Sequence, residues 1–200
     1  MEKNFWNALE SRRSVYGFSG EQPVSQDMII EIAQKALTLV PSAFNSQTTR
    51  IVVLFGEHHK KLWEFVLTEL RKYTDDAQFK NSENKVRGSF QSGYGTVLFF
   101  EDQAVVKELQ DEFSLYADKF PVWSEHTAGM HQLTVWTALS QEGLGASLQH
   151  YNPLIDEAVR KEWNIPDSWK LTAQMPLGKP LAAPEEKDHE PMEKRHKVFS

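Results

Sequence analysis

The 200-residue sequence predicts a single domain that combines amphipathic helices with short buried strands and pairs with a second copy of itself. Three observations carry that reading. Apolar runs at 51–55, 96–100, 146–149 and 169–175 have the length and content of buried strands. The intervals between several of them repeat apolar residues at helical spacing. Segment 124–141 is apolar around its whole circumference, which in so small a chain is more easily explained by a subunit interface than by the monomer's own core. With 40% hydrophobic and 12% aromatic residues, the chain can build one core and is too short for two comfortable domains.

Each element follows from local pattern. Phe5, Trp6 and Leu9 form the apolar side of a short first helix that breaks near Arg12 and Arg13, and Gly17, Gly20 and Pro23 keep the next stretch in a loop. Ser25 is a good N-cap for a helix whose Met28, Ile29, Ile32, Ala33, Ala36 and Leu37 make one stripe, stopped before Pro41. A polar loop, 41–49, leads into the strand at 51–55. A long helix with Leu62, Val66, Leu70 and Tyr73 inward comes next.

Segment 75–95 is polar and contains glycine, and its length suggests a mobile loop or a lid over a site. After the strand at 96–100, Val106, Leu109, Phe113 and Tyr116 mark an amphipathic helix. The all-round apolar helix carries Ala128, Met130, Leu133, Val135, Trp136, Ala138 and Leu139, and Gly143 and Gly145 end it. A strand at 146–149, a short helix at 153–161 and a strand at 169–175 complete the domain. Residues 178–180 then turn the chain into a charged tail, 181–200, whose Lys197, Val198 and Phe199 are apolar enough to dock as an edge strand on the partner.

Composition excludes several chemistries. The chain has no cysteine, so disulfides, thiolate metal sites and cysteine nucleophiles are ruled out, and any redox chemistry needs a bound cofactor. A net charge of -6 gives no basic surface for nucleic acid or an anionic membrane. The N-terminus lacks an apolar core of signal-peptide length and no run is long enough to span a bilayer, so a cytoplasmic protein is expected. Seven histidines show no metal-binding spacing: His58 and His59 are adjacent, and His126 and His131 are five apart.

Four motifs remain. Arg12-Arg13-Ser14 at a helix end offers fixed guanidinium donors and a hydroxyl that suit a phosphate, although a dibasic step there also complements the helix dipole. Pro41-Ser42-Ala43-Phe44-Asn45-Ser46-Gln47 gathers hydroxyls and carboxamides, which can read the pyrimidine edge and ribityl hydroxyls of a flavin or simply cap the loop. Gly143-Leu144-Gly145 follows a helix and has Leu148 where a dinucleotide fingerprint needs glycine, so a Rossmann site is excluded. Gly145-Ala146-Ser147-Leu148-Gln149 lacks the closing glycine of a nucleophile elbow.

Together with Val15, Tyr16 and Met175-Pro176-Leu177-Gly178-Lys179-Pro180, these motifs resemble in order and spacing the FMN-dependent nitroreductase family. Leu148-Gln149-His150-Tyr151-Asn152-Pro153 looks like the branch named for the yeast fatty-acid-repression mutant protein. The resemblance implies an α+β fold with a central mixed, largely antiparallel sheet wrapped by helices, in an intertwined homodimer with FMN at the interface. It implies that Arg12, Ser14 and Tyr16, with Arg13 close by, hold phosphate, ribityl and ring-edge atoms, and that Ser42, Asn45 and Gln47 come from the other subunit. Leu148, Gln149 and His150 run past the ring. The family's basic pair near the C-terminus maps onto Lys187, with His189 departing from the pattern and Arg195 as the substitute. Tyr16 stands where better-known relatives carry a lysine.

The activity that follows from the resemblance is ping-pong hydride transfer from NADH or NADPH, through FMN, to a nitroaromatic, quinone or similar small acceptor. No protein nucleophile is needed, because the cofactor carries the chemistry. Phe44, Phe120, Trp123 and the 75–95 segment are candidate walls for the acceptor, with core or interface packing as the alternative role of the aromatics. A second reading is a flavin-binding sensor or regulator with little turnover, linked to lipid or stress responses.

Overall fold

The computed structural model describes residues 4–184 and 186–200. Its centre is an antiparallel sheet in the order β1 (Phe18–Ser19), β5 (Trp169–Pro180), β3 (Gly95–Asp102), β2 (Thr49–Phe55), with β4 (Gly145–Ala146) also paired to β5. One parallel bridge, Ser14 to Ala146, makes the pairing mixed. The sheet is therefore largely antiparallel, as expected.

β3 is buried along its full length because it lies between two strands and is covered on both faces. Val97 and Phe99 pack with Ile29 and Ala36 of α2 (Gln26–Leu39) and Val135 and Leu139 of α6 (Phe120–Gln141). Leu98 and Phe100 point the other way, onto Leu62, Trp63, Val66 and Leu67 of α3 (Gly56–Arg71) and Val159 of α7 (Asp156–Trp163). The strand's period of two thus feeds two cores, one on each side of the sheet.

The N-terminal helix, α1 (Phe5–Ser11), ends one residue before Arg12, and Ser25 caps α2 by accepting from the Met28 N–H at 3.2 Å. α5 (Gln103–Glu112) follows β3, with Asp102 accepting from the Ala104 N–H. Its expected extension through Phe113 and Tyr116 is a separate 3-10 turn, Ser114–Tyr116.

Segment 75–95 is not a loop. Asp75 caps a helix, α4 (Asp76–Lys85), by accepting from the Gln78 N–H at 2.8 Å, and a π-helical turn, Val86–Gln91, continues from it. The helix lies on the surface with Phe79 as its one large apolar residue, packed against the core's edge, so it shows no apolar period. Val86 and Phe90 are fully buried, and Phe90 lies 5.0 Å from the Trp63 ring centroid. Those two fully buried residues pin the segment that the sequence leaves as a lid.

The expected interface helix is covered on one side only within the single chain, and the turn expected at 178–180 gives way to strand. Within one chain α6 buries a single face, through Ser124, Thr127, Ala128, His131, Val135 and Leu139, and leaves Val122, Met130 and Leu133 exposed. Residues 178–180 continue β5 instead of turning out, and beyond them the tail has one 3-10 turn, Met192–Lys194. Val198 and Phe199 are exposed and form no strand within the chain. Among the described residues no helix is long and apolar enough to cross a membrane.

Candidate functional site

After α1 stops, residues 14 and 15 run beside β4: the Val15 N–H donates to the Ala146 carbonyl at 2.9 Å. The two glycines after α6 have separate reasons, a left-handed turn at Gly143 and this close approach at Gly145. Gly143 adopts φ +78°, and a Cβ on Gly145 would lie 2.8 Å from Val15 Cγ1 and 3.1 Å from Pro180 Cγ. The same segment forms one wall of a cavity of about 560 Å³ lined by Arg12, Arg13, Ser14, Tyr16, Glu186 and Lys187, with Val15 and the 181–184 turn between them.

Arg12 lies with its guanidinium carbon 4.5 Å from the centroid of the Trp136 ring. Burial, and then the neighbouring positive charge of Arg13, push its pKa down. No ion pair of Arg12 occurs among the described residues. Three cationic side chains facing one cavity, one of them partly desolvated and with no ion pair among the described residues, form a place for an anion. Lys187 is among the lining residues, whereas Arg195 and His189 are not.

The 41–47 loop lies elsewhere: none of Ser42, Asn45 and Gln47 lines that cavity. Its backbone is unusual. Phe44, Asn45 and Gln47 have φ of 56°, 52° and 47°, a region that side chains other than glycine rarely occupy. Ser42 holds the loop closed, its hydroxyl accepting from the Gln47 N–H at 3.0 Å and its carbonyl from the Asn45 N–H. This unusual geometry presents Phe44, half exposed, to an aromatic cluster. Its ring centroid lies 5.0 Å from Phe113, 5.3 Å from Phe120 and 5.9 Å from Trp123, the last nearly parallel at 19°. The three predicted wall residues are thus in mutual contact, with Phe120 as the buried floor. Phe113 and Tyr116 complete the cluster, which the sequence reading placed only on the inner face of a helix.

The Leu148–His150 segment is held from below by a residue that sequence reasoning missed. Gln174, fully buried in β5, exchanges main-chain bonds with Gln149 at 2.7 and 2.9 Å, accepts from the Tyr151 N–H at 2.7 Å, and donates to Asn152 Oδ1 at 3.1 Å. Leu148 is partly buried against the α2/α6 core and His150 is exposed between two clamped neighbours. A glutamine amid the apolar run Leu171 to Leu177 was the available signal, since a buried carboxamide must find partners.

Buried charge marks one more place. Glu101 at the end of β3 accepts hydrogen bonds from Thr48 and Thr49, and burial raises its pKa despite them. Among the described residues no group of three or more His, Asp or Glu side chains could hold a metal ion.

Comparison with known proteins sets these features side by side with relatives. The Nitroreductase family model matches residues 9–179. The nitroreductase FRM2 of Saccharomyces cerevisiae is 36% identical over 186 residues, 92% of each chain. The nitroreductase CinD from Lactococcus lactis, solved in complex with nicotinic acid and with 4-nitrophenol, is 47% identical in both structures. It covers 98% of this chain and 100% of its own, at TM-scores of 0.91 and 0.89. A nitroreductase with bound FMN from Desulfitobacterium hafniense shares the fold at a TM-score of 0.72 and 16% identity, over 100% of both chains.

Proposed function

The chain belongs to the nitroreductase family, and on that premise we propose that it is an FMN-dependent oxidoreductase, acting as a homodimer, that takes electrons from NADH or NADPH and delivers them to nitroaromatics, quinones or similar small acceptors. The observation that carries this reading is the cavity that gathers Arg12, Arg13, Ser14, Tyr16 and Lys187. A phosphate fits this donor set, because Arg12 is partly desolvated and pairs with no carboxylate among the described residues.

In this arrangement the guanidinium groups and Lys187 bind the FMN phosphate, Ser14 meets the ribityl chain and Tyr16 the ring edge. Arg195 does not line the cavity, and Lys187 is the cation that the tail brings to it. Ser42, Asn45 and Gln47 reach the cofactor from the partner subunit, which agrees with their separation from the cavity within one chain. Leu148, Gln149 and His150 run along the ring, held in place by Gln174. When bound, FMN supplies hydride exchange between the nicotinamide and the acceptor; no protein side chain is needed as a nucleophile.

The apolar residues exposed on α6 form the seam between subunits, and the tail from 181 docks across it. Phe44, Phe120 and Trp123 wall the acceptor site. The CinD complex with 4-nitrophenol supports a nitroaromatic of that size. The test is an absorbance spectrum of the purified protein under anaerobic conditions, before and after NADH or NADPH. A yellow protein that bleaches with the nicotinamide and recovers its colour on adding a nitroaromatic is the expected result. A yellow protein that does not bleach points to the sensor reading, and a colourless one that takes up no FMN overturns both.

A further inference from the structure

Glu101 is wholly buried, yet it pairs with no cation among the described residues. The Arg50 guanidinium goes to the neighbouring Asp102, at 3.0 Å. Glu101 collects hydroxyls instead. Thr48 donates to Oε2 and Thr49 to Oε1. Thr49 Oγ also lies 3.1 Å from Nδ1 of the buried His131. That nitrogen faces the Thr127 carbonyl at 3.0 Å, and a carbonyl only accepts, so Nδ1 carries the proton and Thr49 keeps its own hydrogen for the carboxylate.

Two elements meet at this carboxylate, the second being α6 through the contact of Thr49 with His131. Thr48 and Thr49 directly follow the loop in which Phe44, Asn45 and Gln47 occupy positive φ. α6 also carries Phe120 and Trp123. A backbone in three unfavourable conformations persists only where its surroundings over-determine it. For stability alone an apolar filler would serve, since a buried charge without a counter-ion is expensive. Hydrogen bonds to a carboxylate are stronger than neutral ones and directional, which a strained loop requires.

We infer that Glu101 is a positioning residue that fixes the strained 42–47 loop against α6 and thereby sets the spacing of Phe44 and Trp123 at the acceptor site. The inference rests on the reading of those aromatics as acceptor walls. Glu101 itself touches neither acceptor nor cofactor and acts through the Phe44 stack.

The test is Glu101→Gln in the full-length, flavin-loaded protein, with 4-nitrobenzoate as acceptor. The expected result is a KM for the acceptor raised about tenfold, the loss of one charged hydrogen bond at a site that places a binding wall. In a Phe44→Ala background the same change has no further effect on KM, because the wall it places is gone. An unchanged KM, or an equal rise in both backgrounds, overturns the inference. Thr49→Val removes one donor to Glu101 and the contact with His131 of α6, and serves if Glu101→Gln fails to fold; it reproduces the KM rise, and a wild-type KM overturns the proposal.

Hydrogen exchange gives a readout independent of turnover. Glu101→Gln is expected to speed exchange of the amides at 42–49 and to leave β5 protected, and unchanged exchange in the loop overturns the role. A wild-type protein that binds no flavin would refute the functional reading, while faster loop exchange would still support the positioning of the loop by Glu101.

Discussion

Arg12 has few internal duties among the described residues. Its contact is the face of Trp136, so Arg12→Ala removes a modest cation–π interaction of about 0.5–1 kcal/mol. Replacement is expected to leave the fold intact and to yield colourless protein; a variant that purifies yellow, with the wild-type ratio of flavin to protein, would show that Arg12 does not hold the phosphate. Gly145 behaves oppositely. Gly145→Ala forces a Cβ against Val15 and Pro180, and about 1–3 kcal/mol of stability should be lost, with residues 14–16 displaced from the cavity wall. Urea denaturation together with flavin content checks both effects.

His59 sets a pH limit. Its Nε2 faces the Gln91 carbonyl at 3.1 Å, and Nδ1 lies 2.8 Å from the Thr96 hydroxyl, which also accepts from Trp63 Nε1. Nε2 therefore bears the proton, Nδ1 accepts from Thr96, and the ring is neutral. Burial lowers its pKa to about 4 from an ordinary value of 6.5. Because the unfolded chain takes up this proton first, the stabilisation is full above pH 6.5 and is lost as pH falls towards 4, by about 3 kcal/mol in total. His59→Gln should flatten that part of the stability profile; an identical slope in the variant would assign the acid sensitivity to other groups.

At the scale of elements, periodic segments were legible and anchored ones were not. Ser25 and the apolar stripe of α2 announce a capped helix, and the β-branched run of β2 a strand, because local pattern and burial agree there. α4 hides because Phe79 is its one large apolar residue that packs inward, too few for a periodic stripe. What fixes the segment is Phe90, and Phe90→Ala is expected to cost about 3–5 kcal/mol by opening a cavity beside Trp63 and Tyr151. A thermal melt that barely moves would mean that the turn is only loosely attached. The candidate site divides in the same way. Arg12, Ser14 and Lys187 could be named from ordered motifs, whereas Glu101, Gln174 and Phe113 act through contacts across the sheet or between helices that no local window contains.

For the molecule as a whole, the exposed Met130 and Leu133 of α6 lie opposite a well-packed face, and an apolar surface of that kind favours burial against a second copy. Leu133→Asp should shift the protein from dimer to monomer in sedimentation velocity. With the partner's Ser42, Asn45 and Gln47 removed, it should also release FMN. A dimeric, yellow Leu133→Asp protein would place the subunit seam elsewhere.

The strand order carries a consequence for how the chain is made. β5 lies between β1 and β3 yet is the last strand along the sequence. During synthesis β3 can pair only with β2, and its inner edge and much of its apolar surface wait until residues 169–180 arrive. The sheet closes late, through pairings distant in sequence, so a ribosome-bound or truncated chain ending before Trp169 would expose a sticky, half-built sheet and call on chaperones.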